Sequence, residues 1–178
     1  NKYAPPAVVK PEDATLKAIA EKTKQLTEAV NVLKEKKIAD DVFVEVDIYR
    51  KAAEYIVKFD EWYHKDSGKW TLTALDRGLE RAGQLGGIPP WRTAAGWVVR
   101  AYRSRVDRSV QPYAVLLPQE YGKDPKKKWR LDVVLHGRDS SISEAKFVAT
   151  HDRTRTAAKD QNFIQLEVYG RGNNAYRW

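Results

Sequence analysis

The stretch Leu131-Asp-Val-Val-Leu-His-Gly137 decides the fold of this chain. Its run of Leu and Val residues predicts a short buried strand, and the His-Gly step predicts the turn that ends it. Ser141 or Ser143 is predicted to cap a helix that begins near Glu144. With the neighbouring Val-rich and Tyr-rich runs, the predicted order β-β-β-α-β covers residues 97–102, 111–117, 130–135, 144–149 and 163–168. This order is typical of the opening of a mixed α/β sheet.

The first half of the chain has helical periodicity. Apolar residues recur in steps of three and four in three successive stripes, over residues 16–33, 44–62 and 72–82. Because short breaks between helices favour antiparallel neighbours, we predict an antiparallel helical bundle over residues 1–88. Gly86-Gly-Ile-Pro-Pro90 ends this region, so residues 89–178 are predicted to form part of a second, α/β domain.

The composition narrows the classes of function. The 178 residues are 42% hydrophobic and contain no Cys, which excludes disulfides and thiolate metal ligands. No spacing of His, Asp and Glu resembles a zinc motif, so we expect neither a metal nor a cofactor, and we expect His64, His151 and Asp152 at the surface. No apolar stretch reaches the roughly 18 residues of a membrane span, so none is predicted.

Charge and the N-terminal sequence bear on partners and location. The net charge is +8, but the arginines between residues 100 and 108 alternate with apolar and small residues, and the lysines at 126–128 lie in a predicted turn. This pattern is typical of a solvated surface, so we predict no nucleic-acid partner. The polar, Pro-rich stretch Asn1-Lys-Tyr-Ala-Pro-Pro-Ala7 favours a periplasmic or secreted protein, with a cytoplasmic one left open.

Several stretches in the second half resemble a known family. They are Tyr102-Arg-Ser-Arg-Val-Asp-Arg-Ser-Val-Gln-Pro-Tyr113, Val115-Leu-Leu-Pro-Gln-Glu-Tyr121, the His136-Gly137 step and the segment 169–178. Residues 97–178 thereby resemble the start of the catalytic domain in prolyl-oligopeptidase-like and polyhydroxybutyrate-depolymerase-like esterases. The helical first half matches only loosely, as an accessory region.

The resemblance implies an α/β-hydrolase fold and acyl transfer through a Ser nucleophile assisted by Asp and His. The sequence contains no G-x-S-x-G nucleophile elbow, and the family order of Ser, acid and His excludes its three His residues as the base. We therefore expect the triad outside these residues and the chain alone to be inactive. The implied contribution of the chain is an oxyanion-hole loop, formed by His136, Gly137 and Arg138. The implied partner is the remainder of the hydrolase domain, in the same polypeptide or in a separate chain.

Two groups of residues are candidates for binding a small ester or peptide substrate. Arg138 and Asp139 stand where further Gly residues often follow His-Gly in this fold, and they either line the substrate mouth or pair with each other at the surface. The loop after the last predicted strand lies where α/β ligand sites form, unless it is only structural, and it offers Arg171, Asn173, Asn174 and Tyr176. The alternative function is non-enzymatic: a binding or scaffold protein that uses the helical bundle for partner contact.

Overall fold

The computed structural model describes residues 6–153 and 156–172. The helices are α1 (Asp13–Glu35), α2 (Asp40–Lys58), α3 (Ser67–Gly83) and α4 (Glu144–His151). The strands are β1 (Gly96–Arg103), β2 (Val110–Leu117), β3 (Arg130–Leu135) and β4 (Phe163–Val168). The predicted order β-β-β-α-β is confirmed, and β3 and β4 have the bounds that the sequence predicts.

The three long helices form because each buries one apolar face against the others. On α1, the face opposite the Lys and Glu residues buries Ile19, Leu26, Val30 and Leu33. α1 and α2 pack together, and both pack on α3. They approach closely at Gly78 of α3, where a Cβ would lie 2.6 Å from Leu26 Cδ2 and 2.8 Å from Tyr49 Cβ. No helix among residues 6–153 and 156–172 has the length and apolarity needed to cross a membrane.

The four strands form one mixed sheet in the order β1-β2-β4-β3. β2 runs antiparallel to both β1 and β4, with Trp97 opposite Leu116 and Val115 opposite Leu166. β3 runs parallel to β4, so α4 connects two adjacent parallel strands. The chain therefore has a mixed α/β architecture, as predicted.

β3 lies at the edge of the sheet and is exposed on both faces. Leu131, Val133 and Leu135 are 53%, 57% and 51% exposed, and Val134 on the other face is 38% exposed. The prediction of a buried strand here is therefore wrong for the described structure, although the strand itself is present. The reason is the position of β3 in the sheet. α2 and α4 pack on β1 and β2, whereas β3 packs mainly on β4 among the described elements.

The apolar core is continuous across the predicted boundary at residue 88. α2 packs on β1 and β2, and α3 packs on α4. One cluster of buried side chains includes Ile19 of α1, Tyr49 of α2, Val99 of β1 and Val148 of α4. The division into residues 1–88 and 89–178 stays a prediction about domain organisation.

A buried carboxylate joins the helices to the sheet. Asp152, directly after α4, accepts hydrogen bonds from Arg81 of α3 at 2.9 Å, from the Tyr49 hydroxyl at 3.0 Å and from the Val99 amide at 3.3 Å. Its side chain is 1% exposed, so the predicted surface position of Asp152 is wrong. Burial of this charge is tolerated because the donors, one of them a cation, replace the water that it loses.

Candidate functional site

The predicted oxyanion-hole loop lies between β3 and α4. It stands at the carboxyl ends of two adjacent parallel strands, because α4 returns the chain from the end of β3 to the start of β4. Ser143 caps α4, with its Oγ accepting a hydrogen bond from the Lys146 amide at 3.2 Å. This cap, one of the two that the sequence predicts, fixes where the loop ends.

The His136 ring ties together the segments that follow β3 and β4. Its Nδ1 lies 2.7 Å from the Gly137 carbonyl oxygen, and its Nε2 lies 2.9 Å from the Tyr169 carbonyl oxygen. Because a carbonyl oxygen only accepts, the tautomer decides which contact is a hydrogen bond in the neutral ring. The half-buried ring therefore positions the loop just before its tip.

Gly137 and Arg138 form the exposed tip of the loop. A Cβ built on Gly137 would meet no atom of the described structure within 4 Å, so the space beside the tip is open. Exposed backbone at the carboxyl ends of parallel strands is where α/β sheets commonly receive ligands. The role of the Arg138 N–H toward an oxyanion stays a prediction.

Asp139 is held by its own loop and by α4. Its Oδ1 accepts hydrogen bonds from the amide and the hydroxyl of Ser141, both at 2.8 Å, and its Oδ2 accepts one from Lys146 Nζ at 2.6 Å. Burial acts to raise the pKa of Asp139, but the hydrogen bonds from Lys146 and Ser141 outweigh it and lower that pKa below its usual value. Asp139 is therefore an ionised group in a defined position, and its contact with a substrate stays a prediction.

A cleft of about 140 Å³ lies beside this loop. The titratable side chains that line it are those of His136, Asp139, Lys146, His151 and Glu167. His151 Nε2 lies 3.0 Å from Glu167 Oε2, and its ring lies edge-on to Trp97 with the ring centroids 5.1 Å apart. The predicted surface position of His151 is correct only in part, because this packing leaves its side chain 21% exposed.

Arg171 contacts the β1–β2 hairpin and lines a different cleft. Its guanidinium makes a bidentate ion pair with Asp107 in the hairpin turn, at 2.5 and 3.1 Å. Hydrogen bonding from Arg171 lowers the pKa of Asp107 well below its usual range. The structure thus brings His136 and Asp139 together and places Arg171 elsewhere. Three further candidates lie outside the described residues, namely Asn173, Asn174 and Tyr176.

Sequence reasoning missed the cleft that Arg171 lines, which has a volume of about 280 Å³. At its base Lys51 Nζ of α2 donates a hydrogen bond to Glu144 Oε2 of α4 at 2.7 Å. Burial raises the pKa of Glu144 to about 7, while Lys51 acts in the opposite direction. The two residues are 93 positions apart, so no local pattern predicts the pair. The one available signal was a charged residue, Lys51, inside the apolar stripe of α2.

Comparisons with known proteins find no match: no protein-family model, no curated protein and no solved structure matches this chain. Within residues 6–153 and 156–172, no group of three or more His, Asp and Glu side chains is arranged to hold a metal ion.

Proposed function

We propose that this chain is the N-terminal portion of a serine hydrolase that cleaves an ester or peptide bond by acyl transfer. The observation that carries the proposal is the path of the chain through β3, the exposed tip at Gly137 and Arg138, and α4. In α/β-hydrolases, one backbone N–H of the oxyanion hole comes from the loop between the third strand and the following helix. The loop of this chain has the same place in the order of elements, and its tip borders open space in the described structure.

The uncovered edge strand supports the proposal. No described strand pairs with the outer side of β3, and its apolar side chains are exposed on both faces. The unpaired backbone groups of such an edge can pair with another strand, and parallel sheets are normally covered on both faces. We place the Ser nucleophile, with its Asp and His, on a continuation of the sheet beyond β3, in the same polypeptide or in a separate chain.

In this mechanism the residues of the loop stabilise charge. The Ser Oγ attacks the carbonyl carbon of the substrate as the triad His takes the hydroxyl proton, and the carbonyl oxygen takes up a negative charge. Collapse of this intermediate breaks the ester or peptide bond, and the leaving group receives that proton from the His. The Arg138 N–H donates a hydrogen bond to that oxygen, and one such donor contributes about 3 kcal/mol to the transition state. His136 acts as a positioning residue, because its ring contacts the carbonyl of the Gly137–Arg138 peptide bond. Export to the periplasm or the medium belongs to the same proposal and rests on the Pro-rich N-terminal sequence alone.

Fluorophosphonate labelling of the protein from its native source tests the proposal. A serine hydrolase carries the label on a Ser outside residues 1–178, on the same polypeptide or on a chain that copurifies with it. The intact mass then exceeds the 20.4 kDa of this sequence, or a second labelled chain is present. Native, folded material of 20.4 kDa that takes up no label refutes the proposal and favours the binding or scaffold alternative.

Two variants of the native enzyme separate the backbone from the side chain at one position. Arg138→Pro removes the N–H and is expected to lower kcat by about 10²–10³ with little change in KM. Arg138→Ala keeps the N–H and is expected to retain most of kcat. An equal loss in the two variants, or an unchanged kcat in Arg138→Pro, contradicts the proposed role.

A further inference from the structure

A second site is suggested by the cleft of about 280 Å³ between α2 and the segment after β4, which we call the α2 cleft. The side chains that line it include Lys51, Tyr55, Phe59, Glu61, Glu144 and Tyr169. Lys51 and Glu144 are 9% and 4% exposed, so the ion pair at the base of the cleft is built into the core. At the rim, Arg171 pairs with Asp107.

Glu144, which lines this cleft, has one side-chain oxygen without a partner among the described residues. Glu144 Oε2 accepts a hydrogen bond from Lys51 Nζ, but Glu144 Oε1 is buried and has no hydrogen-bond partner among the described residues. The other buried carboxylates near the core are satisfied, as at Asp152. A buried acceptor without a donor destabilises the folded chain, so a donor from outside the chain gains free energy by reaching it.

The charges around Glu144 Oε1 select the kind of donor. A cationic ligand is repelled by Lys51 Nζ, which is already bound to the other oxygen of the same carboxylate. An anionic ligand is repelled by Glu144 itself and by Glu61. The charges at the rim are balanced, because Arg171 is paired with Asp107. A neutral donor therefore gains the hydrogen bond without repulsion of either sign.

The walls of the cleft suit an apolar group. The rings of Tyr55 and Phe59 lie edge to face, with their centroids 5.2 Å apart, and Phe59 is 52% exposed. Aromatic surfaces of this kind bury the apolar part of a ligand. We propose that the α2 cleft binds a small neutral alcohol, which turns the buried Glu144 Oε1 toward the cleft and donates its hydroxyl group to it, while its apolar part packs on Tyr55 and Phe59. This inference does not rest on the hydrolase proposal.

The titration of Glu144 favours a hydroxyl group over other donors. Burial raises the pKa of Glu144 to about 7, with Lys51 opposing the rise, so both protonation states are present near neutral pH. A hydroxyl group donates to the carboxylate and accepts from the protonated carboxyl group. An ammonium group only donates, and a carboxylate ligand only accepts.

Three probes that share a phenyl ring and a short chain test the class of ligand. They are 2-phenylethanol, 2-phenylethylammonium and 3-phenylpropionate, titrated into the 178-residue chain and followed by shifts of the backbone amide signals around Lys51 and Glu144. We expect 2-phenylethanol to bind about tenfold more tightly than either charged probe, as one hydrogen bond to a buried carboxylate allows.

A pair of double variants shows whether the ion pair carries the preference. Lys51→Met with Glu144→Leu replaces the buried pair by apolar groups of similar size, which is usually tolerated, and is expected to remove the tenfold preference. The matched control is Lys123→Met with Glu120→Leu, which changes an exposed pair at 2.8 Å outside the cleft and leaves probe affinity unchanged. Circular dichroism and denaturant unfolding verify that both variants are folded.

Several results overturn the proposal. Equal affinity for the three probes, or tighter binding of a charged probe, removes the case for a neutral alcohol. Retention of the alcohol preference in the Lys51→Met, Glu144→Leu variant shows that the alcohol does not bind at this ion pair. Absence of binding by all three probes refutes the proposal, and an ordered water hydrogen-bonded to Glu144 Oε1 in a crystal structure then assigns the cleft to solvent alone.

Discussion

Substitution of Arg81 by Met tests whether the helices and the sheet form one cooperative unit. The Arg81 guanidinium of α3 donates to Asp152 Oδ1 at 2.9 Å and to the Glu45 carbonyl oxygen at 3.1 Å. It also lies over two aromatic rings, 4.7 Å from the centroid of Trp91 and 5.0 Å from that of Tyr49. Arg81 therefore joins α3 to α2 and to the segment that follows α4.

The burial of this pair sets the magnitude of the effect. The side chains of Arg81 and Asp152 are 2% and 1% exposed, so Met removes the close cation from a buried carboxylate, whose remaining ion-pair contact is with Arg153 Nε at 4.0 Å. Removal of one partner from a buried ion pair costs about 3–5 kcal/mol, while the apolar Met keeps part of the packing against Tyr49 and Trp91. We expect Arg81→Met to lower the free energy of unfolding by this amount, a large share of the about 5–15 kcal/mol of a typical domain.

Denaturant unfolding provides the assay, with two reporters. Far-UV circular dichroism follows the helices, and hydrogen exchange of the β1 and β2 amides follows the sheet. In the wild-type chain and in Arg81→Met, both reporters are expected to give the same free energy of unfolding. The control is Lys123→Met, which breaks an exposed pair with Glu120 at 2.8 Å and is expected to change the free energy of unfolding only slightly.

Two results would refute this reasoning. A loss in Arg81→Met no larger than that in Lys123→Met means that the buried pair contributes little. Different free energies from the helical and the sheet reporters mean that the two halves unfold separately. The double variant Arg81→Met, Asp152→Leu is expected to recover part of the loss, because no buried charge is then left, although Tyr49 and Val99 still lose their acceptor.

Three further predictions concern the core, the α2 cleft and the sheet edge. The pKa of Glu144 in the folded chain, about 7, exceeds its ordinary 4.5, so the folded state holds a proton that the unfolded state releases. The free energy of unfolding is therefore expected to fall by about 3 kcal/mol as pH rises from about 5 to about 8. In denaturant titrations, Glu144→Gln is expected to flatten this pH dependence. Gly78→Ala places a Cβ 2.6 Å from Leu26 Cδ2 and is expected to cost about 1–3 kcal/mol, whereas Gly83→Ala, with no atom within 4 Å in the described structure, is expected to raise the melting temperature slightly. Val133→Lys on the exposed face of β3 is expected to reduce self-association in sedimentation experiments and to change stability by about 0.5 kcal/mol or less; a large loss of stability would show that β3 is buried in solution.

The parts of the candidate site that the sequence predicts correctly depend on local chemistry. Ser143 caps α4 because its side chain reaches an amide three residues ahead, and such a cap has a signature within four residues. The bounds of β3 follow from its own run of apolar residues, ended by His136 and Gly137. No local sequence pattern identifies the residues that these elements contact elsewhere in the chain. The polar neighbours of Asp152 in the sequence predict a surface position. In the structure it is buried and accepts hydrogen bonds from donors that are far from it in sequence.

The sequence by itself determined the class of each element and the order in which the elements follow, because hydrophobic period, capping and turn chemistry act over a few residues. Only the tertiary structure decided which charges are buried together. Lys51 meets Glu144, and Arg81 meets Asp152, because α2, α3 and α4 pack around one core. It also decided that β3, whose apolar run predicts burial, lies uncovered at the edge of the described sheet. An apolar pattern records that a strand is suited to burial, whereas burial itself depends on which elements stand beside it.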